Sequence, residues 1–201
     1  MAEQQHAWLA SGAPRGADYD EQFSLRLGAE NPHGEADFVE DLIGRVRAPS
    51  PQAASILDAG CGTGRVGIEL ARRGFQILGV DNDRAMIQQA QRKAPELGWM
   101  LGDLTHVQME FLPDLAVLAG NVMIFVDPGT EGAVLRNIAR HLLPHGLLVA
   151  GFSLSPGRLT LRDYDRLAAA AGLDLLERWA TWQRATWDVT SPYAVSVHRR
   201  V

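Results

Sequence analysis

The sequence predicts an α/β fold: a doubly wound, mostly parallel seven-stranded sheet with helices on both faces and an antiparallel C-terminal hairpin. Three observations predict it. Between residues 55 and 153, short apolar runs alternate with stretches of helical spacing, an alternation that builds a parallel sheet through right-handed crossovers. The first apolar run, Ile56-Leu57-Asp58, ends in an acid and passes directly into the glycine-rich turn Ala59-Gly60-Cys61-Gly62-Thr63-Gly64. After residue 156 the rhythm changes to one helix followed by two strand-like runs.

Taken in order, residues 1–35 are polar and Gly-rich, with a short helix expected to open over Asp18-Tyr19-Asp20-Glu21-Gln22-Phe23 and a loop at Asn31-Pro32-His33-Gly34. Phe38, Val39, Leu42, Ile43 and Val46 lie at helical spacing, predicting a helix over 35–47 that Ala48-Pro49-Ser50-Pro51 stops. Residues 55–58 form the first strand and 64–73 the first core helix, with Gly74 suited to its C-terminus. A strand over 76–81 and a helix over 83–93 follow, the helix opened by Asp83 and ended by Ala94-Pro95. Short strands are expected at 98–101 and 113–119, a helix at 130–142 with Thr130 as N-cap, and a fifth strand at 146–153. Thr160-Leu161-Arg162-Asp163 reads as a capping box for a helix ending at Ala171-Gly172. Strands over 175–186 and 193–200 complete the pattern. The whole chain is expected to be one domain, 1–201, with an N-terminal lid or substrate segment (1–35), a cofactor-binding core (50–155) and a C-terminal helix and hairpin (156–201).

Composition narrows the function. A net charge of −5 and a pI near 5.6 weigh against a broad nucleic-acid footprint. The lone cysteine, Cys61, excludes an internal disulfide, and its place in the turn fits a small structural residue. No Cys/His cluster has metal-ligand spacing, so no metal is expected. The first residues lack a basic stretch and a long apolar run, and no later run is long enough to span a bilayer. A cytoplasmic enzyme is the expectation, without membrane or nucleic-acid partner; monomer and homodimer both remain open.

The glycine turn brings bare backbone N–H groups close to a ligand at the first βα turn of such a sheet. Gly62-Thr63-Gly64-Arg65-Val66-Gly67 also satisfies G-x-G-x-x-G, with Asp81 at the spacing of a ribose-binding acid, so a dinucleotide reading stands beside any other. Asp58 favours a different ligand. A carboxylate at the strand tip repels a pyrophosphate, whereas S-adenosylmethionine carries an ammonium and a sulfonium.

Asp58-Ala59-Gly60-Cys61-Gly62-Thr63-Gly64 resembles the signature of class I (Rossmann-like) S-adenosylmethionine-dependent methyltransferases. The likeness continues through Gly79-Val80-Asp81, Gly102-Asp103-Leu104 and Ala119-Gly120-Asn121, over roughly residues 50–155. It implies S-adenosylmethionine as methyl donor and S-adenosylhomocysteine as product. By that resemblance Asp58 holds the ammonium; Gly60, Cys61, Gly62, Thr63 and Gly64 line the methionine end; Asp81 accepts from the ribose hydroxyls. Asn82 and Met86 then flank the adenine, Gly102, Asp103 and Leu104 address its edge, and Gly120 and Asn121 lie beneath the methyl group. Tyr19, with Phe23 beside it, is placed as an aromatic lid. The closing hairpin also fits this family, whereas the dinucleotide fold usually lacks it.

The residues after the fourth strand, Gly120-Asn121-Val122-Met123-Ile124-Phe125, depart from the Asn/Asp-Pro-Pro-aromatic motif of nucleobase amino methylation. A small-molecule acceptor is therefore expected. No catalytic base stands out: His33, His106, His141, His145 and His198 are scattered and read as surface or loop residues, and Arg199-Arg200 as a solvated end. Trp179, Trp182 and Trp187 are expected to pack the sheet in two cases and to border the acceptor in the third. The alternatives are an NAD-dependent oxidoreductase and a non-catalytic S-adenosylmethionine-binding module on the same fold.

Overall fold

The computed structural model describes residues 7–27, 31–46 and 54–201. Arg47, the Ala48-Pro49-Ser50-Pro51 stop and residues 1–6 lie outside the described residues.

The core strands are β1 (Ser55–Ala59), β2 (Gln76–Asp81), β3 (Gly98–Leu101), β4 (Leu115–Leu118), β5 (Leu147–Ser153), β6 (Leu173–Trp179) and β7 (Tyr193–Arg200). They form one seven-stranded sheet in the order β3-β2-β1-β4-β5-β7-β6. The first five pair in parallel, and β7 runs antiparallel between β5 and β6. The strand order reverses between β1 and β4, which opens a crevice at the carboxyl ends of these strands.

The alternation along each strand supplies two cores. Leu57, Ala116, Leu118, Leu148 and Ala150 face one layer, with Tyr164 and Ala168 of α8 (Leu161–Ala170) and Val134, Leu135 and Ile138 of α7 (Glu131–His141). Ile56, Leu115, Val117, Val149, Val195 and Val197 face the other, with Phe38, Val39, Leu42 and Ile43 of α3 (Gly34–Val46) and Val66 and Leu70 of α4 (Arg65–Arg72). The period of two in the strands and of 3.6 in the helices sends each apolar set to one layer. Each fully buried Leu or Ile contributes about 1.5–3 kcal/mol of burial free energy. A fifth helix, α5 (Arg84–Lys93), packs on β2 and β3, its N-terminus capped by the Asp83 carboxylate accepting from Ala85 N at 2.8 Å.

Several expectations need correction. Two short helices were not foreseen: α1 (Ala7–Ala10) and α6 (Val122–Phe125). Helix α2 runs over Ala17–Leu27, longer than the stretch opening at Asp18. Thr130 sits at the start of α7 but does not cap it; its hydroxyl turns back to donate to Asp127 O at 2.6 Å. Strand β6 starts and ends earlier than expected, because the Thr181 hydroxyl accepts from Gln183 N and Ala185 N and folds residues 180–185 into a turn. His141 and His198 are buried rather than on the surface or in loops, and Arg200 is tied to Arg140 O and Leu142 O at the end of α7. The capping box holds as expected, with Asp163 N donating to Thr160 Oγ1 at 3.1 Å.

Candidate functional site

The carboxyl ends of β1, β2 and β4 converge on a cavity of about 620 Å³, a size suited to small-molecule ligands. Its wall includes Tyr19, Asp58, Gly60, Cys61, Gly62, Thr63, Asp81, Asn82, Met86, Asp103, Leu104, Gly120 and Asn121. Gly64 and Gly102 lie outside that wall. A Cβ on Gly64 would meet the Trp99 ring at 2.6 Å, and one on Gly102 would meet Val107 at 2.6 Å. Both glycines make room for packing behind the site.

The turn after β1 is shaped by its glycines. Gly60 has φ 75°, and a Cβ there would strike Val122 Cγ2 at 2.5 Å. Gly62 has φ 54° with open space where a Cβ would lie, so a ligand can approach its bare backbone. Gly60 N and Cys61 N both donate to Val80 O, at 2.8 and 3.0 Å, and anchor the turn to β2.

Two acids stand at the strand tips. Asp58 is 2% exposed and accepts from Gly67 N at 2.9 Å. Gly67 is therefore spent inside the protein, its missing Cβ leaving 3.0 Å to Asp58 Oδ2. Burial pushes Asp58 up to about 7 against the pull of the Gly67 N–H and of Arg65. Asp81 accepts from Gly62 N at 2.8 Å on one oxygen and from Asp83 N at 2.9 Å on the other, which fixes its carboxylate plane. Burial raises it to about 6. Desolvation favours the neutral form of both acids, and a nearby cation would favour the ionised form. Burial likewise holds the Cys61 thiol well above its ordinary range, so it is not a ready nucleophile.

At the end of β4, Gly120 and Asn121 both take left-handed backbone, φ 63° and 72°. Asn121 Oδ1 accepts from Ser153 N at 2.7 Å and ties the ends of β4 and β5 together. Met86 is both core and wall: 2% exposed, it accepts from Gly16 N through Sδ at 3.3 Å. Asp103 accepts from Thr105 N at 2.8 Å.

The N-terminal segment covers the mouth. Trp8 donates from Nε1 to Asp83 Oδ2 at 3.0 Å and packs edge-on to Phe125 at 5.2 Å between centroids. Tyr19 and Phe23 stack at 6.1 Å and line the cavity. Asp20 of α2 accepts from Thr63 Oγ1 at 2.5 Å and from Lys93 Nζ at 3.1 Å, joining α2 to the glycine turn and to α5. Trp182 packs on Phe38 and on the bare face of Gly151, and Trp179 on the α3 layer, while Arg178 lies 5.7 Å from the Trp187 ring.

Trp8, Arg65 and Phe125 also line the cavity and escaped the sequence reading. Trp8 is a single aromatic in a polar stretch, and Arg65 carried only the signal of a helix start. Among the described residues no His/Cys/Asp/Glu group could hold a metal, and no helix is long and apolar enough to cross a membrane.

Comparison with known proteins agrees with this geometry. A family model described as "Methyltransferase domain" matches residues 56–146. A trans-aconitate 2-methyltransferase from Azoarcus sp. (strain BH72) is 31% identical over 186 residues, covering 88% of this chain and 68% of that protein. The methyltransferase-like protein 27 of Homo sapiens is 35% identical over 177 residues, covering 86% and 67%. A TehB-like S-adenosylmethionine-dependent methyltransferase from Corynebacterium glutamicum is similar in crystal structure, with a TM-score of 0.81 and 33% identity over 90% of this chain and 95% of that one.

Proposed function

Because this chain belongs to the class I S-adenosylmethionine-dependent methyltransferases, we propose that it methylates a small-molecule acceptor held between the glycine turn and the N-terminal segment. The dinucleotide alternative falls with the family. The observation that carries the proposal is the gathering, in one cavity of about 620 Å³, of the glycine turn, two strand-tip acids (Asp58 buried, Asp81 half-buried) and an aromatic cover.

The donor is assigned to the β1–β3 side. Asp58 faces its ammonium through the turn, the open backbone at Gly62 borders the methionine end, and Asp81, its plane fixed by two N–H groups, accepts from the ribose. Asn82, Met86, Asp103 and Leu104 frame the adenine, and Trp8 covers it. Gly120 and Asn121 lie beside the transferred methyl. The donor supplies an electrophilic methyl group on a good leaving group. The chain's own work is to align the acceptor, exclude water and meet positive charge with carboxylates. This matches a wall without a histidine or lysine among the described residues.

A small acceptor is supported by the modest volume of the cavity, about 620 Å³, and the Azoarcus relative, named for trans-aconitate, makes that tricarboxylate the first acceptor to try. The test is calorimetric titration with S-adenosylmethionine and with NADH, followed by S-adenosylhomocysteine release from an acceptor panel. Binding of the first and not the second is expected. Binding without turnover on any acceptor would favour the non-catalytic module.

A further inference from the structure

Helix α2 turns two different sides to the rest of the protein. Tyr19 and Phe23, one turn apart, line the cavity. Asp20, between them in sequence, reaches the glycine turn and α5 instead. Thr63 Oγ1 donates to Asp20 Oδ1 at 2.5 Å. Lys93 Nζ donates to both oxygens of Asp20 at 3.1 Å and to Thr63 Oγ1 at 3.2 Å. The three side chains therefore close a ring of hydrogen bonds. Gln89 Nε2 adds a bond to Asp20 Oδ2 at 3.2 Å, while its own carbonyl accepts from Arg92 Nη1 at 3.1 Å.

Each member of the ring comes from a different part of the fold: Asp20 from α2, Thr63 from the turn after β1, Lys93 from the last turn of α5. Lys93 is the only lysine in the chain, beside eighteen arginines. An ammonium offers three donors from one point, and here it meets three acceptors; a guanidinium is a flat fork and does not converge in this way. The ring is also built to open. Asp20 and Lys93 are 31% and 32% exposed, so their attraction is modest and screened by salt. Thr63 is the buried member, at 1% exposure, and water can satisfy its hydroxyl once α2 lifts.

We infer that the Asp20–Thr63–Lys93 ring is a latch: it holds α2 against the cavity, and its opening sets the rate at which donor and product exchange. The inference rests on the methyltransferase reading. A ligand held at the strand ends is bordered on its other side by Trp8, Pro14, Tyr19 and Phe23, and it leaves past them. Neither Asp20 nor Lys93 lies on the cavity wall, and every bond of the ring runs from protein to protein. Loosening the ring therefore favours the open form with the site empty or loaded. Entry and exit accelerate by the same factor, and affinity stays where it was. A residue that gripped the ligand directly would change exit alone. Asp20 and Lys93 are positioning residues that act through Tyr19 and Phe23.

The test uses the full chain with S-adenosylhomocysteine as probe, its association and dissociation followed by stopped-flow tryptophan fluorescence. Lys93→Met should raise both rates by about threefold, the loss of one partly exposed ion pair. Asp20→Ala, which breaks the whole ring, should raise both by about tenfold. The dissociation constant should stay within about twofold in each variant. Raising salt from about 0.05 M to about 0.5 M should speed exchange in the wild type by about twofold and leave Lys93→Met unmoved. Acetylating the folded protein removes the same charge at its only lysine without a folding step, with Lys93→Met as the blank for the amino terminus. Amide exchange gives a readout free of ligand: α2 should exchange faster in both variants while α7 is unchanged. Three results overturn the inference: unchanged rates in both variants, a rise confined to dissociation, or faster amide exchange at α7 along with α2. The second would place Asp20 or Lys93 on the donor itself, and the third would make the ring a general brace of the fold. A wild-type chain that binds neither S-adenosylmethionine nor S-adenosylhomocysteine would refute the methyltransferase reading and the gate with it, whereas unchanged rates in a chain that does bind them sink the latch alone.

Discussion

Affinity for S-adenosylmethionine should fall steeply below neutral pH. Burial raises Asp58 to about 7 and Asp81 to about 6. Both carboxylates must be ionised to do the work assigned to them, one towards an ammonium and one towards ribose hydroxyls. If the bound state keeps both ionised, the dissociation constant scales with the product of the two protonation factors. Between pH 8 and pH 5.5 that product grows on the order of 100-fold, or about 3 kcal/mol, with about 30-fold of it from Asp58. Titration calorimetry in buffers of different ionisation enthalpy measures both the slope and the accompanying release of about one proton at pH 6.5. Asp58→Asn should remove most of the slope. A wild-type dissociation constant that moves less than about threefold across this range refutes the argument, because it would mean that these acids do not face the donor's charge. The contribution of these two acids to folding stability runs the opposite way with pH. Folded-state values raised above 3.8 contribute stability that is fully present below pH 3.8 and is lost as pH rises through 6 to 7. Stabilisation by the donor, read as a melting shift, should therefore be larger at pH 8 than at pH 6.

Other outcomes follow from single contacts. Asp81→Ala should weaken donor binding by about 1–3 kcal/mol, the range for losing hydrogen bonds to a charged group; calorimetry at pH 8 checks it, and an unchanged affinity removes Asp81 from the ribose. Gly60→Ala should destabilise the fold by about 2 kcal/mol or more, since it adds a Cβ at positive φ against Val122; denaturant unfolding should show partial recovery in the Gly60→Ala/Val122→Ala double variant. His198 is held at about 4 by burial between the sheet and Tyr164, so stability should fall as pH drops below 6.5. Replacing it with Met should offset that loss by about 2 kcal/mol at pH 5, seen as a smaller difference in Tm between pH 5 and pH 7.5.

Most of the architecture was legible because burial imposes a period on the sequence. The run Leu115-Ala116-Val117-Leu118 is buried on both faces and reads as an interior strand without help from neighbours. The glycine turn was legible because φ values of 75°, 54° and 81° at Gly60, Gly62 and Gly64 leave little choice of residue. Helix α6 was not, since four residues are too few to show a period. The end of β6 was hidden by a side-chain turn at Thr181, which no alternation reports. His198 was misread because it sits in Ala194-Val195-Ser196-Val197-His198, where every position is buried and polarity carries no directional signal. In the site, the strand-tip acids followed from the order of elements alone. Trp8 and Arg65 did not, because each is placed by a contact between distant segments: Trp8 with Asp83, Arg65 with Glu35.

The position of β7 has a consequence for how the sheet is assembled. Residues 193–200 are synthesised after β5 and β6, yet they lie between them and hydrogen-bond to both. Until that stretch leaves the ribosome, β6 has no strand beside it and one side of β5 keeps its backbone groups unmatched. A chain ending before Tyr193 would therefore leave β6 without a partner and one side of β5 open, and such unpaired edges invite aggregation.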